Sequence, residues 1–220
     1  MKQSVIITAG GVGKRMGSDL PKQYIPINGL PILMHTINKF YEYDAAIQIV
    51  ISLPSDFIEM WKKLCVQYDF RVVHEITEGG QERYHSIQNA LRKVTGDIVM
   101  VHDAVRPLVS IQTISNVIDK AKSNGAAIPV LPITETLRKG TKENSQHQDR
   151  SLFWCVQTPQ AFQLKILQQA YKIPYSLSVT DDASLVEAMG GEVFLTDGNE
   201  ENIKITTPFD LELVAFFMKN

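Results

Sequence analysis

A short segment near the N-terminus combines residue types that suit phosphate binding. Gly10, Gly11 and Gly13 follow a brief apolar run, and the cations Arg15 and Lys22 come soon after them. Backbone N–H groups of a glycine-rich loop can form an anion-binding concavity, and Lys and Arg add positive charge. The segment therefore predicts a phosphate-binding loop. The alternative is a surface loop whose basic side chains are merely solvated.

Two common phosphate-binding loops do not fit this segment. A P-loop requires G-x-x-x-x-G-K-[ST], but here Thr8 occupies the first glycine position and Arg15 the hydroxyl position. A dinucleotide-binding turn requires G-x-G-x-x-G opening into a helix, whereas this spacing is G-x-G-x-x-x-G. Pro21 and Pro26 also make a long helix after the glycines unfavourable. The segment is therefore a different kind of loop.

The elements that must position this loop alternate between strands and helices. Apolar runs rich in Val and Ile predict strands at 4–8, 47–53, 70–76 and 97–102. Helical periodicity predicts helices at 31–43, 55–68, 83–94 and 110–123. This order predicts an α/β fold whose mainly parallel central sheet carries helices on both faces. Ligands bind such sheets beyond the carboxyl ends of the strands, which is where the glycine loop begins.

The pattern changes after residue 125. Two extended segments flank the polar run 139–149 and predict a protruding β-hairpin, an arm at about 134–155. The apolar run LFWCV at its base needs cover, which a second copy of the chain would supply. Farther along, we expect helices near 160–172 and 181–189, strands near 192–196 and 202–206, and a last helix from 208. No linker divides the chain, so we expect a single domain over 1–220.

Composition narrows the class of protein. The chain has 220 residues, 44% of them hydrophobic, and a formal net charge of −2. Neither nucleic-acid binding nor membrane binding is expected from this balance, and no apolar stretch is long enough to span a bilayer. Two cysteines outside any metal-binding spacing are typical of a reducing compartment, so we expect a cytoplasmic protein.

Six ordered motifs carry a family resemblance across the chain. They are AGGVGKRMGSDLPKQ (9–23), GGQERYHS (79–86), VHDAVRP (101–107), TPQAF (158–162), TDDAS (180–184) and NIKITTPFDL (202–211). Their order and spacing resemble the sugar and polyol nucleotidyltransferases, and among these the cytidylyltransferase branch. The resemblance implies a Rossmann-like three-layer α/β/α nucleotidyltransferase domain. The apolar base of the protruding arm predicts a homodimer joined through that arm.

The resemblance also implies a reaction. A phosphate oxygen of a phosphorylated polyol would attack the α-phosphorus of CTP, release pyrophosphate and use Mg²⁺ as cofactor. Methylerythritol phosphate, an isoprenoid precursor of the non-mevalonate pathway, is the favoured acceptor. Ribitol 5-phosphate is the alternative acceptor, and an NAD(P)-dependent reductase is the alternative from another class.

Site roles follow from the resemblance position by position. The catalytic cations are Arg15, Lys22, Arg150 and Lys204. The nucleotide-binding residues are Ala9, Gly10, Gly11, Gly13, Gly80, Gln81, Ser86, Asp103 and Ala104. The polyol-phosphate site consists of Asp103, Arg106, Thr136, Arg150, Thr158 and Lys204. Asp103 is also the carboxylate expected near the Mg²⁺, whose ligand set is otherwise open. Arg83 is expected to form a structural pair, with capping of the site as the alternative, and either Thr180 or Asp181 is expected to cap a helix.

Overall fold

The computed structural model describes residues 1–11, 20–176 and 179–219. Its α-helices are α1 (Ile32–Tyr43), α2 (Ser55–Gln67), α3 (Arg83–Leu91), α4 (Ile111–Asn124), α5 (Leu164–Ala170), α6 (Asp182–Ala188) and α7 (Pro208–Phe217). Its strands are β1 (Gln3–Thr8), β2 (Pro26–Ile27), β3 (Leu30–Pro31), β4 (Gln48–Leu53), β5 (Glu75–Glu78), β6 (Ile98–Asp103), β7 (Ala126–Pro132), β8 (Leu137–Gly140), β9 (Ser145–Gln148), β10 (Trp154–Val156), β11 (Gln160–Gln163) and β12 (Phe194–Asp197). Short 3₁₀ turns cover Lys22–Tyr24 and Arg150–Leu152.

One large sheet forms the centre of the molecule. Its strand order is β10-β7-β11-β6-β1-β4-β5, and β12 pairs in parallel with β7. The pairs β6–β1, β1–β4 and β4–β5 are parallel, whereas β11 runs antiparallel to both of its neighbours. The predicted α/β class with a mainly parallel sheet is confirmed. Because the parallel strands point the same way, their carboxyl ends share one edge of the sheet.

The helices cover both faces of this sheet. Side chains of a strand alternate between faces, so Val5 and Ile7 of β1 pack with α1, α2 and α4, while Ile6 packs with α3, α5 and α6. β6 is buried along its whole length, as expected of a central strand covered on both sides. These two apolar layers set the position of the carboxyl edge of the sheet.

The polar tip forms a small separate sheet. β8 and β9 pair antiparallel from Leu137–Gln148 to Gly140–Ser145, and most of their residues are exposed. This is the predicted hairpin. No helix within 1–11, 20–176 and 179–219 is long and apolar enough to cross a membrane.

Three secondary-structure predictions were wrong in position or kind. The strand expected at 70–76 begins only at Glu75, after an extended segment. The helix expected near 160–172 begins at Leu164, because Gln160–Gln163 instead form the strand β11 between β6 and β7. Residues 202–206 are irregular rather than a strand, although Ile205 donates its N–H to the carbonyl oxygen of Val105.

Candidate active site

A cleft of about 400 Å³ opens where four parallel strands end. Thr8 ends β1, Asp103 ends β6, Pro54 follows β4 and Gly79 follows β5. The cleft is lined by Thr8, Ala9, Gly10, Gly11, Lys22, Gln23, Pro54, Gly79, Gly80, Gln81, Glu82, Arg83, Ser86, Asp103, Ala104, Val105 and Lys204. Sequence segments far apart along the chain therefore meet at the edge that the strand pattern indicated.

The start of the glycine loop and the Lys22 turn form one wall of the cleft. The amide of Gln23 donates to the carbonyl oxygen of Ala9 at 2.7 Å, which ties the turn to the loop. The Lys22 ammonium group donates to the carbonyl oxygen of Ile205 at 2.8 Å. Lys22 therefore reaches across the cleft toward the segment that carries Lys204. Gln23 was not among the predicted site residues, although it ends the Pro-Lys-Gln motif.

A second wall is the turn between β5 and α3. The Ser86 hydroxyl accepts a hydrogen bond from the N–H of Gly80 at 3.0 Å and donates to the carbonyl oxygen of Glu82 at 3.1 Å. A Cβ atom on Gly80 would lie 2.3 Å from the Cβ of His85, and one on Gly79 would lie 3.3 Å from the carbonyl oxygen of Leu53. This compact turn presents backbone groups to the cleft, as an anion or base contact requires.

Asp103, at the end of β6, is in contact with two cationic side chains. Its Oδ2 lies 3.0 Å from the Lys204 ammonium nitrogen and 3.3 Å from Nε of Arg106. Burial alone would raise the pKa of the Asp103 carboxyl, but Lys204, Arg83 and Arg106 outweigh it and hold the pKa well below its usual range. Asp103 is therefore ionised at neutral pH and keeps Lys204 and Arg106 beside it.

Arg106 and Thr158 lie behind Asp103 rather than on the cleft wall. Arg106 donates through Nη1 to the carbonyl oxygen of Asn202 at 2.7 Å. The backbone N–H of Asp103 donates to the Thr158 hydroxyl at 3.1 Å, and the same hydroxyl lies 3.1 Å from Nδ1 of His102. The structure thus brings both predicted polyol-site residues within one contact of Asp103.

Arg83 pairs with a buried carboxylate next to the cleft. Its Nη2 lies 2.6 Å from Oδ2 of Asp182, a fully buried residue whose Oδ1 accepts from the Tyr171 hydroxyl at 2.6 Å. Asp181 accepts from the N–H of Ser184 and caps α6. The helix-capping interpretation of Asp181 and the structural one of Arg83 agree with these contacts. Arg83 also lines the cleft, so the alternative interpretation, that it caps the site, agrees with its position as well.

The remaining predicted residues lie on the arm or outside the residues that the structure describes. Thr136 and Arg150 are exposed on the arm and are not among the residues lining this cleft. Arg150 donates through Nη1 to the carbonyl oxygen of Thr134, which fixes it to the arm. Gly13 and Arg15 lie outside the described residues.

Comparisons with known proteins match this chain over its whole length. The sequence profile of the family described as 2-C-methyl-D-erythritol 4-phosphate cytidylyltransferase matches residues 3–220. The protein of that name from Bacteroides thetaiotaomicron is 50% identical over 214 residues, covering 97% of this chain and 98% of the relative. The one from Phocaeicola vulgatus is 48% identical with the same coverage. The chain belongs to the 2-C-methyl-D-erythritol 4-phosphate cytidylyltransferase family.

Solved structures agree with this assignment to the cytidylyltransferases. The crystal structure of 2-C-methyl-D-erythritol 4-phosphate cytidylyltransferase from Thermus thermophilus aligns over all of both chains, with a TM-score of 0.82 and 30% identity. The Francisella tularensis enzyme aligns over 98% of this chain and 99% of its own, with a TM-score of 0.82 and 33% identity. The cytidylyltransferase resemblance is confirmed, and neither the ribitol phosphate enzyme nor the NAD(P)-dependent reductase is favoured.

The donors of this cytidylyltransferase limit how a metal could be held. Within the described ranges, no three His, Cys, Asp or Glu side chains are grouped to hold an ion. Asp103 and Glu82 are the acidic residues on the described cleft wall. Both cationic contacts of Asp103 are made by Oδ2. On the described part of the wall, a metal would therefore find these two carboxylates, one of them already shared with two cations.

Proposed function

We propose that this cytidylyltransferase transfers CMP from CTP to 2-C-methyl-D-erythritol 4-phosphate and releases pyrophosphate. The observation that carries the proposal is the meeting of Asp103, Lys204 and Lys22 with the turn of Gly80 and Ser86 in one cleft. The cleft offers backbone groups for a base at one end and cations for phosphates at the other. A nucleotide and a phosphorylated polyol can therefore be bound side by side.

The reaction places modest demands on proton transfer. A phosphate monoester is already ionised near neutral pH, so the attacking oxygen needs no general base. The protein must align the attacking phosphate with the α-phosphorus of CTP and stabilise the charge that develops there. The hydrogen bond of Lys22 to the Ile205 carbonyl across the cleft supports a role for Lys22 at the α-phosphate, between the two substrates. Arg15 is proposed to act with it.

The acceptor phosphate belongs beside Lys204, and Arg106, behind Asp103, adds positive charge. Both cations already surround Asp103, so a phosphate arriving there meets positive charge whose position is set by hydrogen bonds rather than by the ligand. The Asp103 carboxylate, an acceptor for hydrogen bonds, suits the hydroxyl groups of the polyol. This arrangement favours a substrate that carries a phosphate and hydroxyls close together.

Magnesium fits the same carboxylate. Mg²⁺ in proteins is usually bound by one or two carboxylates together with substrate phosphates and water. We propose that Asp103 supplies the protein ligand and the triphosphate of CTP the others. When bound, the ion neutralises charge on the triphosphate. Removing it with a chelator should stop pyrophosphate release, and adding Mg²⁺ should restore it.

Pyrophosphate release tests the activity directly. The protein is incubated with CTP, Mg²⁺ and either 2-C-methyl-D-erythritol 4-phosphate or ribitol 5-phosphate. Release with the first and little with the second is expected, and the reverse would reassign the acceptor. Lys22→Ala should bind CTP nearly as the wild type does but turn over about 10²–10³-fold more slowly, as expected for loss of a group that stabilises transition-state charge. Unchanged turnover would remove Lys22 from this role, and Lys62→Ala is the matched surface control.

We further propose that the enzyme works as a homodimer joined through the arm. Leu152, Phe153, Trp154 and Val156 are exposed side by side at the arm base, an apolar patch that needs cover. Thr136 and Arg150, both predicted polyol-site residues, lie on this arm away from the cleft of their own chain. A second copy would cover the patch and receive these two residues in its own cleft.

Mixing two inactive variants tests this arrangement. Arg150→Ala and Lys204→Ala homodimers should each be inactive, but subunit exchange should restore up to about one quarter of wild-type activity, because each mixed dimer contains one intact site. No recovery after verified exchange would place Arg150 in its own chain's site. A monomer in light scattering at micromolar concentration would contradict the dimer itself.

We also propose a cytoplasmic location. Cys65 and Cys155 are both free thiols, and Cys155 is exposed, which suits a reducing compartment. Cell fractionation with antibody detection tests the location.

A further inference from the structure

A buried histidine that the reaction does not use stands directly before Asp103. His102 is fully buried in β6, and its ring packs edge-on against Phe40 with 5.0 Å between ring centroids. Both ring nitrogens have partners: Nδ1 lies 3.1 Å from the Thr158 hydroxyl and Nε2 lies 3.1 Å from the carbonyl oxygen of Arg106. An apolar residue could fill this space, so the two hydrogen bonds need a reason.

The partners determine which nitrogen carries the proton. A carbonyl oxygen only accepts, so Nε2 of His102 must donate to Arg106. The Thr158 hydroxyl has one proton to donate, and Nδ1 of His102 is the acceptor 3.1 Å from its oxygen. Nδ1 therefore accepts the Thr158 hydroxyl proton, and the Thr158 oxygen accepts the N–H of Asp103. The hydrogen bonds form one directed chain.

That chain closes around the turn that carries the charged residues. It begins at the N–H of Asp103, passes through the Thr158 hydroxyl and the His102 ring, and ends at the carbonyl of Arg106. The N–H of Arg106 also donates to the carbonyl of Asp103 at 3.1 Å. Hydrogen bonds thus hold both ends of the turn. Oδ2 of Asp103 and Nε of Arg106, the side-chain atoms that meet across it, lie 3.3 Å apart.

We propose that His102 is a positioning residue which, as the neutral tautomer protonated on Nε2, locks the Asp103–Arg106 turn in the conformation that receives the phosphorylated polyol. The inference rests on the proposed function for its substrate. It also refines the expected role of Thr158: its hydroxyl proton is directed to His102, so Thr158 orients Asp103 rather than donating to the polyol. Lys22 and the Gly80 turn lie outside the chain of hydrogen bonds, so CTP binding depends on it less than polyol binding does.

Three substitutions separate the two hydrogen bonds. His102→Leu removes both, His102→Gln can retain a donor near the position of Nε2, and His102→Asn can retain an acceptor near the position of Nδ1. For His102→Leu we expect kcat/KM for the polyol phosphate to fall about 30-fold or more, with a clearly smaller rise in KM for CTP, which Lys22 and the Gly80 turn also bind. Gln and Asn should each recover part of this loss. His102→Asn combined with Thr158→Val should lose the recovery that Asn gives alone.

A stability control distinguishes positioning from packing. Ser4 is buried at the opposite end of the sheet, where its hydroxyl donates to Gln48 at 2.7 Å, so Ser4→Ala removes a buried hydrogen bond far from the cleft. This substitution should lower the melting temperature but leave both kcat/KM for the polyol phosphate and KM for CTP unchanged. If His102→Gln and His102→Asn behave like Ser4→Ala, or if both substrates are affected equally, the proposal is wrong.

The tautomer can be measured without any activity. In ¹⁵N-labelled wild-type protein at pH 7, histidine ring correlations should assign His102 as the tautomer protonated on Nε2, identified by loss of its signals in His102→Gln. A charged ring or a proton on Nδ1 would overturn the proposal even in an active enzyme. Failure of the proposed function would look different. A wild-type protein that shows the expected tautomer but no activity with the polyol phosphate would contradict the proposed substrate, not the locked turn.

Discussion

The Lys204 ammonium nitrogen lies 3.0 Å from Oδ2 of Asp103, at the mouth of a cleft that must accept a phosphate. The side chain of Lys204 is about half exposed, whereas that of Asp103 is nearly buried. The carboxylate therefore sets the position of the lysine before any substrate arrives. A phosphate can share this lysine from the solvent side while Asp103 continues to hold it.

Replacing Asp103 with Asn should impair both turnover and stability. The amide keeps the shape but removes the negative charge that offsets Lys204 and Arg106, and it leaves a weaker ligand for Mg²⁺. We expect kcat to fall about 10²-fold or more and unfolding free energy to fall by about 1–3 kcal/mol. Steady-state pyrophosphate release and urea denaturation measure the two effects. Asp119→Asn, which breaks an exposed pair with Lys122, should leave both nearly unchanged.

Stability should fall on mild acidification because of His102. Its folded-state pKa is about 4, below the ordinary value of 6.5, so between these values the unfolded chain binds a proton that the folded protein does not. Stability therefore rises with pH through this window and is lost as pH falls, by up to about 3 kcal/mol at its lower end. Urea midpoints at pH 7 and pH 5 measure the slope.

The same slope should shrink in His102→Gln, which cannot titrate. An equal slope in that variant would assign the acid sensitivity to other groups. The pKa of Asp103 is also lowered, but its contribution is lost only as pH falls below the ordinary carboxyl value near 4. The two residues therefore act in different pH windows.

Two glycines of the cleft should respond differently to alanine. A Cβ on Gly80 would lie 2.3 Å from the Cβ of His85, so Gly80→Ala must displace the turn that ends at α3. Nothing described lies within 4 Å of a Cβ on Gly10. We expect Gly80→Ala to lower both the melting temperature and CTP affinity, the latter roughly tenfold or more, because the turn loses its shape.

Gly10→Ala should instead keep the wild-type melting temperature and weaken CTP binding alone, because its methyl group would occupy space proposed for the triphosphate. Calorimetric titration with CTP and thermal unfolding measure both quantities. Unaltered CTP affinity in Gly10→Ala would mean that the triphosphate does not approach this glycine.

The ion pair between Arg83 and the buried Asp182 should be costly to break by removing the arginine. Asp182 is fully buried and is shared between Arg83 and Tyr171, so Arg83→Met leaves a buried carboxylate without its cation. We expect a loss of about 3–5 kcal/mol in unfolding free energy for Arg83→Met. The double variant with Asp182→Leu should lose less than the sum of the two single variants. Additive losses in denaturant titrations would show that the two side chains are not coupled.

Sequence patterns predicted the central part of the fold well and its second half less well. Runs such as 4–8 and 97–102 are apolar throughout, because strands covered on both faces must be, and they appear as β1 and β6. Gln160–Gln163 looked like the start of a helix. It is a strand because it hydrogen-bonds to β6 on one side and to β7 on the other. A local sequence pattern does not show that these two strands need a partner between them.

The candidate site shows the same division. The motif residues Gly80, Ser86, Asp103 and Lys204 were all predicted, and all of them line the cleft. Gln23, whose amide holds the Ala9 carbonyl, was missed because a glutamine next to a lysine carries no chemical signal of its own. The support that His102 gives to the turn was missed for a related reason: its partner Thr158 is 56 residues away.

The sequence by itself determined the residue types, the order of the motifs and therefore the family, because cations, glycines and carboxylates keep their chemistry wherever the chain places them. Only the tertiary structure decided which of these groups touch. The pairing of Lys204 with Asp103, of Arg83 with Asp182 and of Thr158 with His102 each joins distant segments. Such contacts depend on how the strands of one sheet align and how helices pack upon it, and alignment and packing are set by the whole core rather than by neighbouring residues.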